Sequence, residues 1–314
     1  MIHENDWSLT IPATVPGDQH IEGHYNPHVS DKQTMDEHLP IGNADTDEHP
    51  GIENAPADDH PGTDDPLTGM VEIRHATDSR TSQVRYNRLF GGPGMRQPAS
   101  AWPWLLDLLQ VRPGQRLLDV ASGEAGMLPF ARARGLFAVA VDLAVAALRT
   151  ARSRDAGSCM LVADGERLPF ADGSFERVLS FGSLEHYNDP ARGAAELARV
   201  LAPEGLALVQ VPNTFGLRWN LAYAWRHGEV CDDGQPIQRY GTRMQWQRLL
   251  EAGGLAVLRT VAYEDRTQLQ TPRDWLLALA YPSRLLIPLS PCLPIDMAST
   301  FVFICRRAPF GIRR

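Results

Sequence analysis

Short apolar runs alternate with amphipathic stretches between about residue 117 and residue 213. The unbroken apolar run at 137–141 is typical of a strand buried on both faces, whereas residues 143–154 have the apolar spacing of a helix. The same alternation predicts strands at 176–181 and 206–211, a short strand ending at Asp164, and helices at 127–134 and 191–201. This succession of strands and helices favours a parallel sheet that helices cover on both faces.

Elements on either side extend this predicted core. Residues 84–92 and 102–109 have the apolar spacing of two leading helices, and residues 242–250 that of a later one. Residues 255–263 and 300–305 are typical of two final strands. Two inserts remain, 214–241 and 264–299, and we interpret them as lid inserts, because loops at strand ends are where a substrate pocket is usually built.

Three strands in succession end in an acid or in small residues. Asp119 closes an apolar run and is followed by small residues through Gly126, Asp142 ends the next run, and Asp164 ends the third. Because the carboxyl ends of parallel strands meet at one edge of a sheet, these groups are expected to lie together. Small residues also let a ligand approach backbone amides where a helix starts. The pattern predicts a site for a nucleoside cofactor.

Each of these motifs has a plainer interpretation when taken alone. The glycine-containing loop also fits a degenerate dinucleotide fingerprint, or a simple turn between strand and helix. Asp142 is suited to accept hydrogen bonds from the two hydroxyls of a ribose, but an acid at this point is equally suited to cap the following helix.

A longer block makes the pattern specific. Asp164 is followed by Leu-Pro-Phe at 168–170 and Asp-Gly-Ser-Phe at 172–175, then by residues 183–186 and 199–205. In this order and spacing, residues 117–213 resemble class I S-adenosylmethionine-dependent methyltransferases, of the methyltransferase type 11-like group that acts on small molecules. The resemblance implies an α/β fold: a Rossmann-like three-layer αβα sandwich with a mostly parallel seven-stranded sheet and an antiparallel last strand.

The resemblance also assigns residues to the cofactor, S-adenosyl-L-methionine. It implies that Asp119 receives the ammonium group of the methionine portion, that Asp142 binds the ribose, and that Asp164 borders the adenine. The full implied set is Asp119, Ala121, Gly123, Gly126, Asp142, Leu143, Asp164, Gly165 and, from the leading helix, Tyr86. Ala121 and Ala125 depart from the glycines usual in this loop, and we expect them to reduce the freedom of the turn without abolishing binding.

Methyl transfer from a sulfonium is an in-line displacement, so the protein supplies alignment, exclusion of water and, for a hydroxyl acceptor, removal of a proton. His186, just past the fourth strand, is the candidate base, and Tyr187 beside it would orient the acceptor. A structural role stays open for His186, because it precedes Asn188, Asp189 and Pro190, where the next helix starts. No metal is required.

Charge divides the chain of 314 residues into two parts. Residues 1–80 hold 17 acidic residues against three basic ones, whereas the remainder holds 21 acidic residues against 27 arginines. The first part also repeats a motif at a period of 11 residues, with His38, His49 and His60 beside carboxylates. Having few large apolar groups, it is predicted to be a disordered acidic tail instead of a divalent-metal site. The methyltransferase domain is predicted to span 81–314.

The remaining features concern location and partners. Residues 276–295 are apolar, but four prolines and Arg284 exclude a continuous membrane-spanning helix, so a packed lid is expected, with a bulky or lipid-like acceptor and peripheral membrane contact left open. The four cysteines are scattered, and Cys159 and Cys305 fall in strands predicted to be buried, which favours a reducing cytoplasm. Without a basic run, no nucleic acid partner is expected. The oligomeric state stays open.

Two alternatives compete with methyl transfer. A catalytically inactive, cofactor-binding regulatory protein would keep the pocket without turnover. An NAD(P)-dependent reductase would use the same sheet, although a nicotinamide-binding fold has no need for Asp119 ahead of its glycine turn.

Overall fold

The computed structural model of the protein describes residues 65–91, 99, 101–264 and 293–309. Its strands are β1 (Val71–Arg74), β2 (Arg116–Val120), β3 (Phe137–Asp142), β4 (Cys159–Val162), β5 (Phe175–Phe181), β6 (Leu201–Pro212), β7 (Ile237–Tyr240), β8 (Leu255–Tyr263) and β9 (Thr300–Arg307). Its helices are α1 (Ser79–Phe90), α2 (Ala101–Leu108), α3 (Leu128–Ala133), α4 (Val145–Arg154), α5 (Pro190–Val200), α6 (Ala222–His227) and α7 (Arg243–Ala252).

The main sheet has seven strands in the order β4-β3-β2-β5-β6-β9-β8. The pairs from β4 to β6 are parallel, and β9 pairs antiparallel with both β6 and β8. This confirms the predicted mostly parallel sheet with an antiparallel last strand. The strand order reverses between β2 and β5, so a crevice opens at the carboxyl ends of these strands, where ligands bind in such sheets.

Helices cover both faces of this sheet, as the alternating pattern predicts. Leu118 of β2 packs in a cluster with Leu197 of α5 and Trp246 of α7. Its neighbour Leu117 packs in a second cluster with Leu105 of α2. Because successive side chains of a strand point to opposite faces, a strand with apolar residues at both positions must be buried on both sides.

Two helix starts follow the predicted chemistry. Thr242 caps α7, accepting a hydrogen bond from the backbone N–H of Gln245, whose side chain returns to the backbone of Thr242. Asp189 caps α5, and Pro190 occupies its first position. A polar cap of this kind contributes about 1 kcal/mol of stability. The predicted capped helix at 242–250 is therefore confirmed.

The structure corrects two details of the sheet. β6 starts at Leu201 instead of residue 206, with an irregularity in its register against β5 that accommodates residues 202–205. β9 pairs with β6 only from Ala207 onward, so Pro203 has no ladder partner on that side to lose. Cys159 is exposed, and the prediction of burial was wrong because β4 lies at the edge of the sheet; Cys305 is fully buried, as predicted.

The described structure also starts before the predicted boundary at residue 80. β1 and the first turn of α1 lie within the predicted tail, and β1 pairs antiparallel with β7 in a separate two-stranded sheet. The first insert, 214–241, supplies β7 and α6. The tail up to residue 64, with its repeats, and most of the second insert, 265–292, lie outside the described residues. Within the described ranges, no helix has the length and apolar character needed to cross a membrane.

Candidate active site

A cleft lies at the carboxyl ends of β2 to β5, beneath α1. It encloses about 640 Å³, counting the space that opens to solvent. Its lining residues are Ser79, Ser82, Tyr86, Phe90, Ala121, Asp142, Leu143, Ala163, Asp164, Gly165, Glu166, Gly182, Ser183, His186, Tyr187, Asn188 and Gln235.

Asp142 stands at the end of β3 with both carboxylate oxygens already engaged. Oδ2 accepts a hydrogen bond from the backbone N–H of Gly123 at 2.7 Å, and Oδ1 accepts one from Ala144 at 2.7 Å. Burial raises the pKa of Asp142 to about 6, although these two N–H groups act in the opposite direction. No side chain caps α4, so Asp142 does not serve as its helix cap. Through its bonds to Gly123 and Ala144 it connects the loop after β2 with the loop after β3.

The loop after β2 keeps a glycine-like backbone despite its alanines. Ala121, Gly123 and Ala125 have φ angles of 54°, 55° and 53°, in the left-handed region. A non-glycine residue there costs roughly 1 to 2 kcal/mol, so the two alanines place strain in the turn. The methyl group of Ala121 faces the cleft. The two alanines were expected to reduce the freedom of this turn, and in the structure they hold a strained backbone conformation.

The two glycines of this loop lie against aromatic rings of the leading helices. A Cβ on Gly123 would lie 3.4 Å from the Phe90 ring of α1, which is an ordinary contact, and one on Gly126 would lie 3.3 Å from Nε1 of Trp102 of α2, which is a tight one. The positive φ of Gly123 favours glycine there, whereas at Gly126 the Trp102 ring leaves little room for a side chain. Neither glycine lines the cleft.

Asp119 is buried in β2 and does not line the cleft either. Burial, with a further contribution from the negative charge of Asp142, raises the pKa of Asp119 to about 8. At pH 7 its carboxyl group is therefore mostly protonated.

The turn after β4 carries the third acid. Asp164 Oδ1 accepts a hydrogen bond from the backbone N–H of Glu166 at 3.0 Å, and Glu166 Oε1 accepts one from Asn188 at 2.6 Å. A Cβ on Gly165 would lie 2.1 Å from the hydroxyl oxygen of Tyr187, so only glycine fits there. The turn thus packs directly against the segment that carries His186.

His186 ends a short 3-10 turn, Leu184–His186, at the cleft. Its Nδ1 lies 2.6 Å from the carbonyl oxygen of Ile237. Because a carbonyl only accepts, Nδ1 must carry the proton, and Nε2 of the neutral ring keeps a free lone pair. Burial lowers the pKa of His186, so the ring is neutral at pH 7. Asp189, and not His186, makes the helix start at α5.

Tyr187 is buried between two glycines. Cβ atoms on Gly165 and Gly193 would both overlap its ring or hydroxyl. Burial raises the pKa of Tyr187 above its usual range, so the phenol stays protonated at neutral pH. A protonated phenol can donate or accept a hydrogen bond to a ligand, but it does not act as a base.

The cleft therefore brings together eight of the eleven residues singled out from the sequence. Those in the cleft are Tyr86, Ala121, Asp142, Leu143, Asp164, Gly165, His186 and Tyr187, whereas Asp119, Gly123 and Gly126 are not part of its lining. Several polar lining residues were not predicted from the sequence, including Ser82, Glu166, Ser183 and Gln235. Glu166 directly follows the Asp-Gly pair and could have been found from that motif.

Three buried polar atoms of the lining have no hydrogen-bond partner among the described residues: Ser82 Oγ, the Tyr187 hydroxyl and Asn188 Oδ1. Buried polar groups are normally paired, so these atoms indicate a polar ligand. The described lining also includes the acids Asp142, Asp164 and Glu166 but no Lys or Arg. These features suit a ligand that carries positive charge and several hydrogen-bonding groups.

Residues 118–209 match the family model described as a methyltransferase domain. This part of the chain, from β2 to β6, is therefore similar to methyltransferase domains. Within the chain, 107 residues are 39% identical to a demethylmenaquinone methyltransferase of Renibacterium salmoninarum, covering 33% of this chain and 44% of that protein. A demethylmenaquinone methyltransferase of Corynebacterium glutamicum is 37% identical over 97 residues, covering 31% and 41%. The alignments thus span less than half of these relatives.

Two solved structures share the fold of the methyltransferase domain. The complex of the Haloferax volcanii Trm112 methyltransferase activator with a putative methyltransferase matches 74% of this chain and 99% of that chain, with a TM-score of 0.54 and 19% identity. The [4+2]-cyclase SpnF matches 75% and 98%, with a TM-score of 0.53 and 18% identity. At these identities the likeness concerns the fold alone.

The matched segment and the cleft overlap only in part. Asp142, Asp164 and His186 lie inside the segment that matches the methyltransferase domain, whereas Tyr86 and Gln235 lie outside it. Tyr86 approaches His186 edge-on, with ring centroids 6.4 Å apart. The far wall of the cleft is therefore built in part by residues outside the segment that matches the family model.

Proposed function

We propose that this protein transfers a methyl group from S-adenosylmethionine to an oxygen, nitrogen or carbon atom of a small or amphipathic molecule. The observation that carries the proposal is the placement of Asp142 and Asp164, at the ends of adjoining parallel strands, in one cleft of a methyltransferase domain. Such a pair suits a nucleoside, because one carboxylate can accept from ribose hydroxyls and the other can border the base.

The residues present fit this cofactor. Each oxygen of Asp142 accepts one backbone hydrogen bond, and its remaining lone pairs can accept from a ribose. The unpartnered Ser82 hydroxyl and Asn188 carbonyl oxygen offer further polar contacts. An acidic lining suits a ligand of positive charge, and S-adenosylmethionine, when bound, supplies an electrophilic methyl group on a sulfonium.

The chain's own residues perform the remaining tasks. α1 covers the cleft and excludes water, which keeps the reacting groups aligned and desolvated. His186, with its proton on Nδ1, accepts the proton of an acceptor hydroxyl at Nε2. Tyr187 stays protonated and orients the acceptor through its hydroxyl. Asp119, behind the loop after β2, is mostly protonated at pH 7 in the free protein and balances the charge of the methionine ammonium group by losing its proton when the cofactor binds.

The chemical identity of the methyl acceptor is less defined than that of the cofactor. The names of the aligned relatives point to a demethylated menaquinone, but Tyr86 and Gln235 lie outside the segment that matches the methyltransferase family model. We therefore place demethylmenaquinone as one member of an acceptor panel beside phenols, sugars and lipids. A reducing, cytoplasmic location is part of the same proposal and agrees with the buried, unpaired Cys231 and Cys305.

Two measurements test the proposal on the full chain. Calorimetric titration with S-adenosylhomocysteine is expected to give saturable heat, whereas NADH in parallel gives none; the reverse result would indicate a reductase. Methyl-labelled S-adenosylmethionine offered to the acceptor panel is expected to yield a labelled product. Binding of S-adenosylhomocysteine without product from any member of the panel would contradict catalysis and favour the regulatory alternative.

A further inference from the structure

A buried arginine holds the turn on which His186 stands. Arg239 of β7 is 1% exposed, and its guanidinium donates to the backbone carbonyl oxygens of Glu185 at 3.3 Å, Tyr187, and Asn188 at 3.2 Å. These carbonyls belong to the irregular stretch between β5 and α5, where no regular ladder would satisfy all of them. One side chain therefore fixes the backbone on both sides of the histidine.

The same strand also fixes the histidine ring. Ile237, two residues before Arg239, accepts the hydrogen bond from Nδ1 of His186. β7 thus sets the backbone of the turn, the orientation of the imidazole and its tautomer together. A small displacement of a catalytic group can cost about 100-fold in rate, so such a double attachment bears on turnover.

The charge of Arg239 is balanced from a second strand. Its Nε lies 2.6 Å from Oε2 of Glu72, in β1, which pairs with β7. A buried arginine is costly unless it is paired and its donors are satisfied. Lysine is no equivalent, because a single ammonium cannot reach three carbonyls and a carboxylate from one position.

We infer that Arg239 is a positioning residue for His186. The two-stranded sheet of β1 and β7 then holds the catalytic turn in place, because β7 carries Arg239 and β1 carries Glu72, which pairs with it. The inference rests on the proposed role of His186 as a base. It extends the site to residues 71–74 and 237–240, which lie outside the segment matched by the methyltransferase family model.

Several charged or titratable groups face the histidine. Glu185 lies on the same turn, with Oε1 3.7 Å from Nε2, and Tyr86 approaches from α1. Asp233, from the segment before β7, favours the protonated ring, whereas the positive charge of Arg239 disfavours it. Burial raises the pKa of Glu185 to about 8, so this carboxyl group is mostly protonated at pH 7. Removal of Arg239 leaves Asp233 in place, so the pKa of His186 is expected to rise.

The test compares four variants of the full chain with the wild type: Arg239→Met, Arg239→Lys, Glu72→Gln and, as the matched control, Arg177→Met. Arg177 is also buried and also donates to backbone carbonyls, those of Glu176 and Gln110, but it does not line the cleft. Nitrogen NMR of the His186 ring, assigned with His186→Gln, reports its tautomer and its pKa without any acceptor. Calorimetry with S-adenosylhomocysteine and methyl transfer complete the comparison.

The wild-type ring is expected to be held with the proton on Nδ1. Arg239→Met should lose this single tautomer, raise the pKa of His186 and lower kcat by about 100-fold, with less than a threefold change in S-adenosylhomocysteine affinity. Arg239→Lys should lower kcat with a smaller shift in pKa, because it keeps the charge but not the geometry. Glu72→Gln should weaken the preference for the Nδ1 tautomer and lower kcat to a smaller extent, without raising the pKa of His186, because Arg239 keeps its charge. Arg177→Met should give none of these changes.

Two results would overturn the inference: an unchanged His186 tautomer and pKa in folded Arg239→Met, or equal changes in Arg177→Met. If Arg239→Met does not fold, Arg239→Lys and Glu72→Gln decide, and wild-type behaviour of His186 in both refutes the positioning role. Failure of the proposed function is distinguishable, since it would show as absent S-adenosylhomocysteine binding in the wild type while the NMR comparison still reports on the histidine.

Discussion

The two walls of the cleft are built in different ways. The cofactor wall comes from the ends of β3 and β4 and the loops that follow them, so Asp142 and Asp164 are 22 residues apart in the chain. The opposite wall combines Tyr86 of α1, His186 after β5 and Gln235 before β7, which span about 150 residues. The first wall follows from the order of strands in one sheet, whereas the second depends on how separate segments dock onto it.

This contrast explains where the chain matches its relatives. The cofactor wall lies inside the matched segment, where a common ligand imposes common geometry. The opposite wall lies largely outside it and is free to differ with the acceptor. The two walls are therefore expected to respond separately to substitution: one through cofactor affinity, the other through turnover.

His186→Gln is expected to have the largest effect. Loss of a positioned base lowers kcat by about 100- to 1,000-fold, while S-adenosylhomocysteine affinity changes little, because the ring belongs to the acceptor wall. In the wild type the acid limb of the rate profile should lie below pH 6.5, since burial lowers the pKa of His186. Rates of methyl transfer from pH 5 to pH 8, compared with those of Tyr187→Phe, check both points; an undiminished rate in His186→Gln would remove the base from the mechanism.

Asp142→Asn should affect the cofactor wall instead. The amide keeps one acceptor oxygen but turns an NH₂ group toward a backbone N–H, so one of the contacts to Gly123 and Ala144 is lost together with the ribose interaction. Hydrogen bonds to charged groups contribute about 1.5 to 3 kcal/mol, which predicts roughly 100-fold weaker binding of S-adenosylhomocysteine by calorimetry.

The control for this change is Asp155→Asn, which removes the same charge from a surface ion pair with Arg132 at 2.6 Å. Its affinity for S-adenosylhomocysteine should equal that of the wild type. Equal weakening in both variants would mean that net charge, and not the contacts of Asp142, governs binding.

Asp119 links cofactor binding to pH. Its raised pKa of about 8 means that the folded protein holds this proton more tightly than the unfolded chain, so stability without cofactor should fall as the pH rises from about 4 to about 8. An ammonium group prefers the ionised carboxylate, so S-adenosylhomocysteine affinity should rise about tenfold from pH 6.5 to pH 8, with proton release on binding. Both dependences should disappear in Asp119→Asn, and a pH-independent affinity in the wild type would exclude contact with the ammonium group.

Ala121→Gly should give the smallest change, and in the stabilising direction. Glycine adopts the left-handed φ of this position without the strain that alanine has there. This gain outweighs the greater freedom of glycine in the unfolded chain, so the free energy of unfolding should rise by about 0.5 kcal/mol. Ala147→Gly in α4 has no such strain to relieve and should lose about 1 kcal/mol. Urea unfolding measures both, and a loss in Ala121→Gly equal to that in Ala147→Gly would show that the turn is unstrained.

The sequence predicted the sheet well because most of its strands are short, rich in apolar residues and closed by distinct residues. β3 and β8 have the predicted bounds, and the acid at the end of β3 lies in the cleft as expected. The predictions failed where neighbours in space decide the outcome. Cys159 is exposed because β4 has a neighbour on one side only, and β1 was missed because four residues of half-buried alternation gain stability only by pairing with β7.

The amino-acid order alone thus determined the fold class and the chemistry of one wall, since an alternation of strand and helix permits few topologies and brings strand ends to a common edge. Only the tertiary structure decided which of those residues line the cleft: it buried Asp119, left Gly123 and Gly126 outside the lining, and set Arg239 against the turn of His186. Contacts between segments about 50 to 150 residues apart leave no local pattern, because they depend on shape complementarity that only the folded chain provides.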